Sequence, residues 1–136
     1  MALVPSDTGG MMKKMPRHTV LVVEDDAHMA RVVANLLTSA GYRVLSADDG
    51  HAAIDILSGK EPIDLVFTDL VMPRDVNGLD VVRSAAQQRP GIKILLTSGF
   101  GQAPLVAQGL NDDLLILAKP YRPRDLTDTV RAMLAD

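Results

Sequence analysis

The sequence predicts an α/β protein with a parallel sheet that is covered by helices on both faces. Two observations support this fold class. From Thr19 onward, short aliphatic runs alternate with segments in which apolar residues recur at three- and four-residue steps. The run IDLVFTDL, at residues 63–70, is aliphatic on both faces of a strand, which is typical of a strand buried between two layers of helices.

Each element in the first half of the chain has its own signal. Apolar residues at helical spacing predict two helices, and a glycine follows the end of each one. Short aliphatic runs predict the strands between them. The predicted elements are a strand at residues 19–23, a helix at 29–40, a strand at 42–47, a helix at 52–57 and a strand at 63–70.

Glycine and proline delimit the elements of the second half. Gly78 opens a helix that Pro90 and Gly91 end, and Pro123 suits the first turn of the last helix. Pro104 within residues 102–111 predicts that any helix there is short or irregular. The predicted elements are a helix from residue 78 to 86, a strand at 93–99, the irregular helix at 102–111, a strand at 114–118 and a helix at 123–134.

Composition limits the classes of function. The chain has 136 residues, a net charge of −3 and no cysteine, which excludes thiolate chemistry and argues against nucleic-acid or anionic-membrane partners. No apolar run approaches the ~20 residues of a membrane-spanning helix. Residues 1–18 lack both periodicity and a signal-peptide core. We therefore expect a flexible extension at residues 1–18, one domain at residues 19–136 and a cytoplasmic location.

Polar side chains gather where the predicted strands end. Glu24 and Asp25 follow the first strand, Asp69 ends the third, Thr97 lies near the end of the fourth, and Lys119 follows the fifth. These ends meet at one edge of a parallel sheet, where such folds place their sites. Three crowded carboxylates raise one another's pKa unless a cation lies among them. Their oxygen ligands suit Mg²⁺ with phosphate as a co-ligand, and Lys119 adds a second positive charge.

Five motifs follow one another along the chain. They are VLVVEDD at residues 20–26, FTDLVMP at 67–73, NG at 77–78, LLTSG at 95–99 and AKPY at 118–121. Together they resemble the receiver domains of two-component response regulators, above all those attached to hybrid sensor histidine kinases. The resemblance covers nearly all of residues 19–134. It implies a flavodoxin-like (βα)₅ fold with strand order 2-1-3-4-5.

The resemblance also implies the chemistry of the site. Asp69 aligns with the aspartate that accepts a phosphoryl group from the phosphohistidine of a sensor histidine kinase or histidine phosphotransfer protein. Thr97 aligns with the family's switch hydroxyl and Lys119 with its lysine, whose bond to Pro120 is usually cis. Phosphorylation would then change the binding of a downstream protein partner.

The metal ligands follow from the same resemblance. Asp25 would bind Mg²⁺ directly and Glu24 through water, with Asp69 and the carbonyl of Val71 completing the protein ligands. Asp26 is assigned differently, because an acid just before a helix is well placed to cap it. We therefore expect two of the three consecutive acids to serve the metal and one to serve the helix.

The sequence departs from the commonest receiver pattern at three places, one of which is Ser98, where a smaller residue often follows the threonine. Ile116 lies three residues before Lys119, where many receivers have an aromatic that rotates inward on phosphorylation. We therefore expect a switch that depends on Thr97 and aliphatic packing. The loop RDVN, at residues 74–77, is longer than in the commonest form, as in receivers of hybrid kinases.

Alternative functions fit the sequence less well. A phosphorylation-independent interaction module would be expected to lack site residues, and none is missing. A hydrolase would need a second acid where Val71 stands, and a flavin-binding protein would not place three acids in its phosphate loop. Since the chain stops soon after the last predicted helix, we expect a single-domain regulator or a receiver taken from a larger kinase or regulator.

Overall fold

The computed structural model describes residues 18–72, 76–99 and 115–135. Five strands and four helices lie in these ranges. They are β1 (Thr19–Val23), α1 (Ala27–Ser39), β2 (Arg43–Ala47), α2 (Gly50–Leu57), β3 (Leu65–Asp69), α3 (Gly78–Gln88), β4 (Lys93–Ser98), β5 (Leu115–Ala118) and α4 (Pro123–Leu134). The predicted helix at residues 102–111 and all of the predicted extension except His18 lie outside the described residues.

The five strands form one parallel sheet in the order β2-β1-β3-β4-β5. The predicted strand order is therefore confirmed. It places β1 and β3 side by side at the point where the order reverses, which is where open parallel sheets bind their ligands. Val23 is in register with Thr68, and Asp69 is in register with Thr97 on β4.

Aliphatic side chains fill a core on each face of the sheet. On one face, α2 and α3 pack against the sheet, and the buried residues include Leu21, Val66, Leu96, Ala53 and Val81. On the other face, α1 and α4 do the same, and the buried residues include Val22, Phe67, Leu95, Leu37 and Leu126. This alternation of side chains along central strands explains why their sequences are aliphatic at nearly every position.

The two edge strands are less buried than their aliphatic sequences suggest. Leu115 and Ile116 in β5 have exposed fractions of 49% and 44%, and β2 is fully buried only at Ala47. Sequence pattern alone does not distinguish an edge strand from a central one, because both are rich in the same aliphatic residues.

Two helices begin earlier than their apolar spacing predicts, because capping residues set their starts. Asp26 accepts hydrogen bonds from the backbone N–H groups of His28 and Met29 at 2.9 and 3.1 Å, so α1 begins at Ala27. Its predicted capping role is confirmed. Asp49 accepts a hydrogen bond from the N–H of Ala52 at 2.8 Å, and α2 begins at Gly50. Such caps satisfy N–H groups that have no partner within the helix.

None of the helices in the described ranges combines the length and apolar character that a bilayer crossing requires.

Candidate functional site

Three carboxylates meet at the carboxyl end of the sheet. Glu24 and Asp25 follow β1, and Asp69 is the last residue of β3. One oxygen of each lies within 4.8 Å of the others. Glu24 and Asp69 are buried, with exposed fractions of 7% and 6%, whereas Asp25 is exposed to solvent. The structure therefore brings together the three acids that the sequence predicts to be neighbours.

Lys119 adds an ammonium group to this cluster. Its Nζ atom donates a hydrogen bond to Oδ2 of Asp69 at 2.8 Å. Its backbone N–H donates to the carbonyl of Ser98 at 2.8 Å, which anchors the end of β5 to β4. The peptide bond between Lys119 and Pro120 is cis, as predicted. We call Glu24, Asp25, Asp69 and Lys119 the acidic site.

The charges of the acidic site do not balance. Burial raises the pKa of Glu24, and the nearby charge of Asp69 raises it further, although hydrogen bonding to the backbone and the charge of Lys119 act in the opposite direction. Partial burial disfavours the charged form of Lys119, but its hydrogen bond to Asp69 and the charges of the acids outweigh burial, so its pKa is raised. One ammonium group among three carboxylates leaves room for additional positive charge.

The donor set fits a hard divalent cation. The acidic site offers only carboxylate oxygens, two of them on buried residues, and it opens to solvent at Asp25. Mg²⁺ prefers oxygen ligands, retains several waters and is bound by few carboxylates. These residues therefore suit Mg²⁺.

Asp26 points away from the acidic site and into the start of α1. Besides capping that helix through its side chain, it donates its backbone N–H to Oε2 of Glu24 at 3.1 Å. This hydrogen bond holds the Glu24 carboxylate at the edge of the sheet. The three consecutive acids thus occupy different environments, and Asp26 is separate from the metal-compatible cluster.

Two further predicted residues flank Asp69. Thr97 is in register with Asp69 on the neighbouring strand, has an exposed fraction of 2%, and its hydroxyl has no hydrogen-bond partner among the described residues. Its carbonyl accepts the N–H of Leu70 at 2.9 Å, which joins the two strand ends. Val71 follows two residues after Asp69, and its side chain is 43% exposed.

Tyr121 is an aromatic neighbour of the site to which the sequence pattern assigned no role. Its ring packs edge-on against Phe67 of β3, with ring centroids 6.2 Å apart and an interplanar angle of 78°. Burial, together with the charges of Glu24 and Asp69, raises the pKa of Tyr121 to about 12. The signal available in the sequence was its position two residues after Lys119, in the AKPY motif.

A groove with a volume of about 620 Å³ borders the acidic site on the side of α1. Glu24 and Lys119 line it, together with Tyr121. Its other lining residues include apolar side chains of α1, among which Met29 and Val32 have exposed fractions of 38% and 36%. The acidic site is thus open to an apolar surface that a partner can reach.

Gly78 is a second residue whose role near the site the sequence did not reveal. A Cβ atom at this position would overlap the carbonyl oxygen of Asp69 and would lie 2.7 Å from the Cα atom of Leu70. Its N–H donates to the carbonyl of Leu70 at 2.8 Å. Only glycine allows the start of α3 to approach the end of β3 this closely.

The fold and the acidic site define a doubly wound α/β protein with a metal-compatible cluster at its switch point. The chain belongs to the response regulator receiver domain family, whose model matches residues 20–131. The prediction made from the five motifs is thus confirmed at the level of the family.

Individual relatives agree with this assignment. The response regulator receiver protein CpdR of Brucella abortus is 35% identical over 116 residues, which cover 85% of this chain and 95% of that protein. Other relatives are longer, and the chain spans about half of their length.

Two solved structures are also similar. One is the crystal structure of a response regulator receiver protein from Sinorhizobium medicae, with a TM-score of 0.79 and 30% sequence identity. The match covers 86% of this chain and 94% of the Sinorhizobium chain. The other is the crystal structure of the receiver domain from the hybrid histidine kinase CckA, with a TM-score of 0.71 and 27% sequence identity. The match covers 85% of this chain and 98% of the CckA chain. The predicted flavodoxin-like receiver fold is confirmed.

Proposed function

We propose that this protein is a phosphoacceptor receiver of a two-component phosphorelay, with the receiver unit at residues 19–136. In this proposal, Asp69 accepts a phosphoryl group from the phosphohistidine of a sensor histidine kinase or a histidine phosphotransfer protein. One observation carries the proposal: Asp69 is a buried strand-end carboxylate that contacts the Lys119 ammonium and lies within 4.8 Å of two further acids. A carboxylate with only a structural role would gain nothing from two further carboxylates placed beside its ion pair with a lysine, because like charges repel.

Asp69 acts as the nucleophile of the transfer. Because its Oδ2 atom accepts the hydrogen bond from Lys119, we assign the attack to the other oxygen, Oδ1. The new O–P bond forms as the P–N bond of the phosphohistidine breaks, and the electron pair of that bond returns to the imidazole nitrogen. A carboxylate is already ionised at neutral pH, so no general base is required. Lys119 holds the carboxylate and offers its charge to the incoming phosphoryl oxygens.

The metal in this proposal is Mg²⁺. Asp25 and Asp69 would bind it directly, Glu24 would act through water, and the carbonyl of Val71 would complete the protein ligands. When bound, Mg²⁺ supplies positive charge that neutralises the phosphoryl oxygens during an in-line transfer. The crowding of three carboxylates around a single ammonium supports this assignment.

Thr97 provides the link from phosphorylation to a change in surface. Its hydroxyl is buried beside Asp69 and lacks a partner among the described residues, so it is available to donate to a phosphoryl oxygen once Asp69 is modified. Moving Thr97 would move the end of β4 and alter the surface offered to a downstream protein. Ile116, whose side chain is 44% exposed on β5, is aliphatic, so the proposed switch uses no aromatic at that position.

The groove beside α1 is where the phosphodonor would approach. It brings apolar side chains of α1, including Met29 and Val32, next to the acidic site. An amphipathic helix carrying the phosphohistidine would cover this apolar surface while its imidazole reaches Asp69.

Acetyl phosphate provides the test, because it donates a phosphoryl group without a partner protein. With Mg²⁺, we expect the wild type to gain one phosphoryl group by intact mass, and Asp69→Asn to gain none. Asp55→Asn, which changes an exposed carboxylate on α2, is the matched control and should be labelled like the wild type. Equal labelling of the wild type and Asp69→Asn would refute the assignment of Asp69. A wild type that remains unlabelled would favour an interaction module that does not depend on phosphorylation.

A further inference from the structure

Gly50, the first residue of α2, packs against the segment that joins β3 to α3. A Cβ atom at this position would overlap the Cγ1 atom of Val76 and would lie 2.9 Å from its carbonyl oxygen and 3.0 Å from its Cβ atom. The φ angle of Gly50 lies outside the left-handed region. Glycine is therefore required here by the close approach of Val76 and not by backbone conformation.

Val76 lies in the segment that leaves Asp69 and returns to α3. The base of this segment is closed by the hydrogen bond from Gly78 to the carbonyl of Leu70, at 2.8 Å. Val71, whose carbonyl is a proposed metal ligand, lies between these two ends. Val76 stands two residues before Gly78, which lies against the backbone of Asp69 and Leu70, so displacement of Val76 would disturb these two residues through Gly78.

Helix α2 is held in place and cannot easily withdraw from Val76. Its Ala53 and Leu57 side chains are buried in the core, with exposed fractions of 0% and 1%. Its C-terminal end is fixed by the guanidinium group of Arg89, which donates to the carbonyls of Leu57 at 3.0 Å, Gly59 at 3.0 Å and Glu61 at 2.7 Å. A methyl group added at the start of α2 would therefore push on the segment at Val76 and not on the helix.

We infer that Gly50 is a positioning residue for the acidic site. By lacking a side chain, it lets Val76 pack against the start of α2, and this contact holds the nearby Gly78 against the backbone of Asp69 and Leu70. The inference rests on the proposed function, because it concerns the Mg²⁺ site and the phosphorylation of Asp69.

The test is Gly50→Ala, with Val76→Gly as its compensating change. Gly50→Ala should weaken Mg²⁺ binding and slow labelling by acetyl phosphate by about tenfold or more, as expected for small displacements of groups that must be aligned. Val76→Gly removes the Cγ1 and Cβ atoms, which are two of the three atoms closest to the added methyl group. The double variant should therefore recover most of the Mg²⁺ affinity and most of the labelling rate. Gly59→Ala is the matched control at the other end of α2, where the nearest atom would lie at 3.3 Å.

Mg²⁺ affinity can be measured by tyrosine fluorescence, since the chain has two tyrosines and no tryptophan and Tyr121 lies beside the acidic site. A residue with a merely structural role would change the unfolding transition and leave the Mg²⁺ dissociation constant of the folded protein unchanged. The dissociation constant, measured below the unfolding transition, therefore separates the two roles.

Each outcome decides the question. Weaker Mg²⁺ binding in Gly50→Ala that is restored in the double variant supports the inference. Wild-type affinity and labelling in Gly50→Ala overturn it while leaving the proposed function intact. A wild type that neither binds Mg²⁺ nor is labelled overturns the proposed function and the inference together. If Gly50→Ala does not fold, the Mg²⁺ dissociation constant of Val76→Gly alone decides the question, because this variant also removes the contact: weaker binding supports the inference and wild-type affinity overturns it.

Discussion

Thr97 and Thr68 lie on neighbouring strands beside Asp69 and both are buried, but of their two hydroxyl groups only that of Thr68 has a hydrogen-bond partner among the described residues. The hydroxyl of Thr68 donates to the carbonyl of Asp69 at 3.0 Å. That of Thr97 has no hydrogen-bond partner among the described residues, although its exposed fraction is 2%. A buried polar group without a partner is unfavourable, so the fold carries this hydroxyl at a cost in stability.

The first prediction is that Thr97→Val and Thr68→Val change stability in opposite directions. Both substitutions keep the side-chain shape and remove a hydroxyl. Thr97→Val should raise the free energy of unfolding by about 1 kcal/mol, because it removes an unpaired polar group, and Thr68→Val should lower it by about 1 kcal/mol, because it removes a hydrogen bond. Urea unfolding in EDTA measures both. If Thr97→Val proved as destabilising as Thr68→Val, the Thr97 hydroxyl would have to be paired.

The second prediction separates Asp25 from Asp26. Asp25→Ala should weaken Mg²⁺ binding by about 10-fold or more, because it removes a ligand from the acidic site. Asp26→Ala should leave that affinity within a few fold but lower the free energy of unfolding by about 1 kcal/mol, because it removes the cap of α1. Mg²⁺ titrations and urea unfolding should therefore rank the two variants in opposite orders. The same loss of affinity in both would contradict this division of roles.

The third prediction concerns Arg89. Arg89→Ala should lower the free energy of unfolding by about 1–3 kcal/mol, since three backbone carbonyls at and just after the C-terminal end of α2 lose a charged donor. Arg89→Lys should recover only part of this loss, because an ammonium group cannot present the guanidinium fork. Arg83→Ala is the control, because its exposed pair with Asp80, at 3.7 Å, should contribute less than about 0.5 kcal/mol. An Arg89→Ala variant as stable as Arg83→Ala would show that the three hydrogen bonds contribute little.

The sequence predicted the fold and the membership of the acidic site for one physical reason. In a parallel sheet, the ends of buried strands meet, so residues that follow separate aliphatic runs, such as Asp25, Asp69 and Lys119, become neighbours whatever their separation along the chain. Packing contacts between helices and connecting segments cannot be read from the sequence in this way. The fit of Gly50 against Val76 depends on how the start of α2 packs against the residues that precede α3, and no local pattern encodes it.

The same limit applies to burial and to electrostatics. The apolar content of β5 did not reveal that it is an edge strand with an exposed Ile116, because edge and central strands use similar residues. Nor could the pattern indicate that Glu24 is more deeply buried than Asp25. Burial depends on the neighbouring strands, and it sets the direction in which the pKa of Glu24 moves.

The fourth prediction follows from the raised pKa of Glu24, which burial and then the charge of Asp69 push above the ordinary value of 4.5. In the absence of metal, the Glu24 carboxyl is therefore harder to ionise in the folded protein than in the unfolded chain. The stability that Glu24 contributes is therefore fully present below about pH 4.5 and is lost as the pH rises through its pKa in the folded state. Glu24→Gln keeps the acceptor for the N–H of Asp26 and removes this titration.

In EDTA, Glu24→Gln should therefore become more stable than the wild type as the pH rises from about 4.5 towards neutrality. With Mg²⁺ at neutral pH the order should reverse, because the variant should bind the ion about 10- to 100-fold more weakly. Urea unfolding across pH, with and without Mg²⁺, measures both effects, and Asp55→Asn on α2 controls for loss of an exposed carboxylate. A stability difference that stays constant with pH in EDTA would mean that Glu24 titrates alike in the folded and unfolded chains.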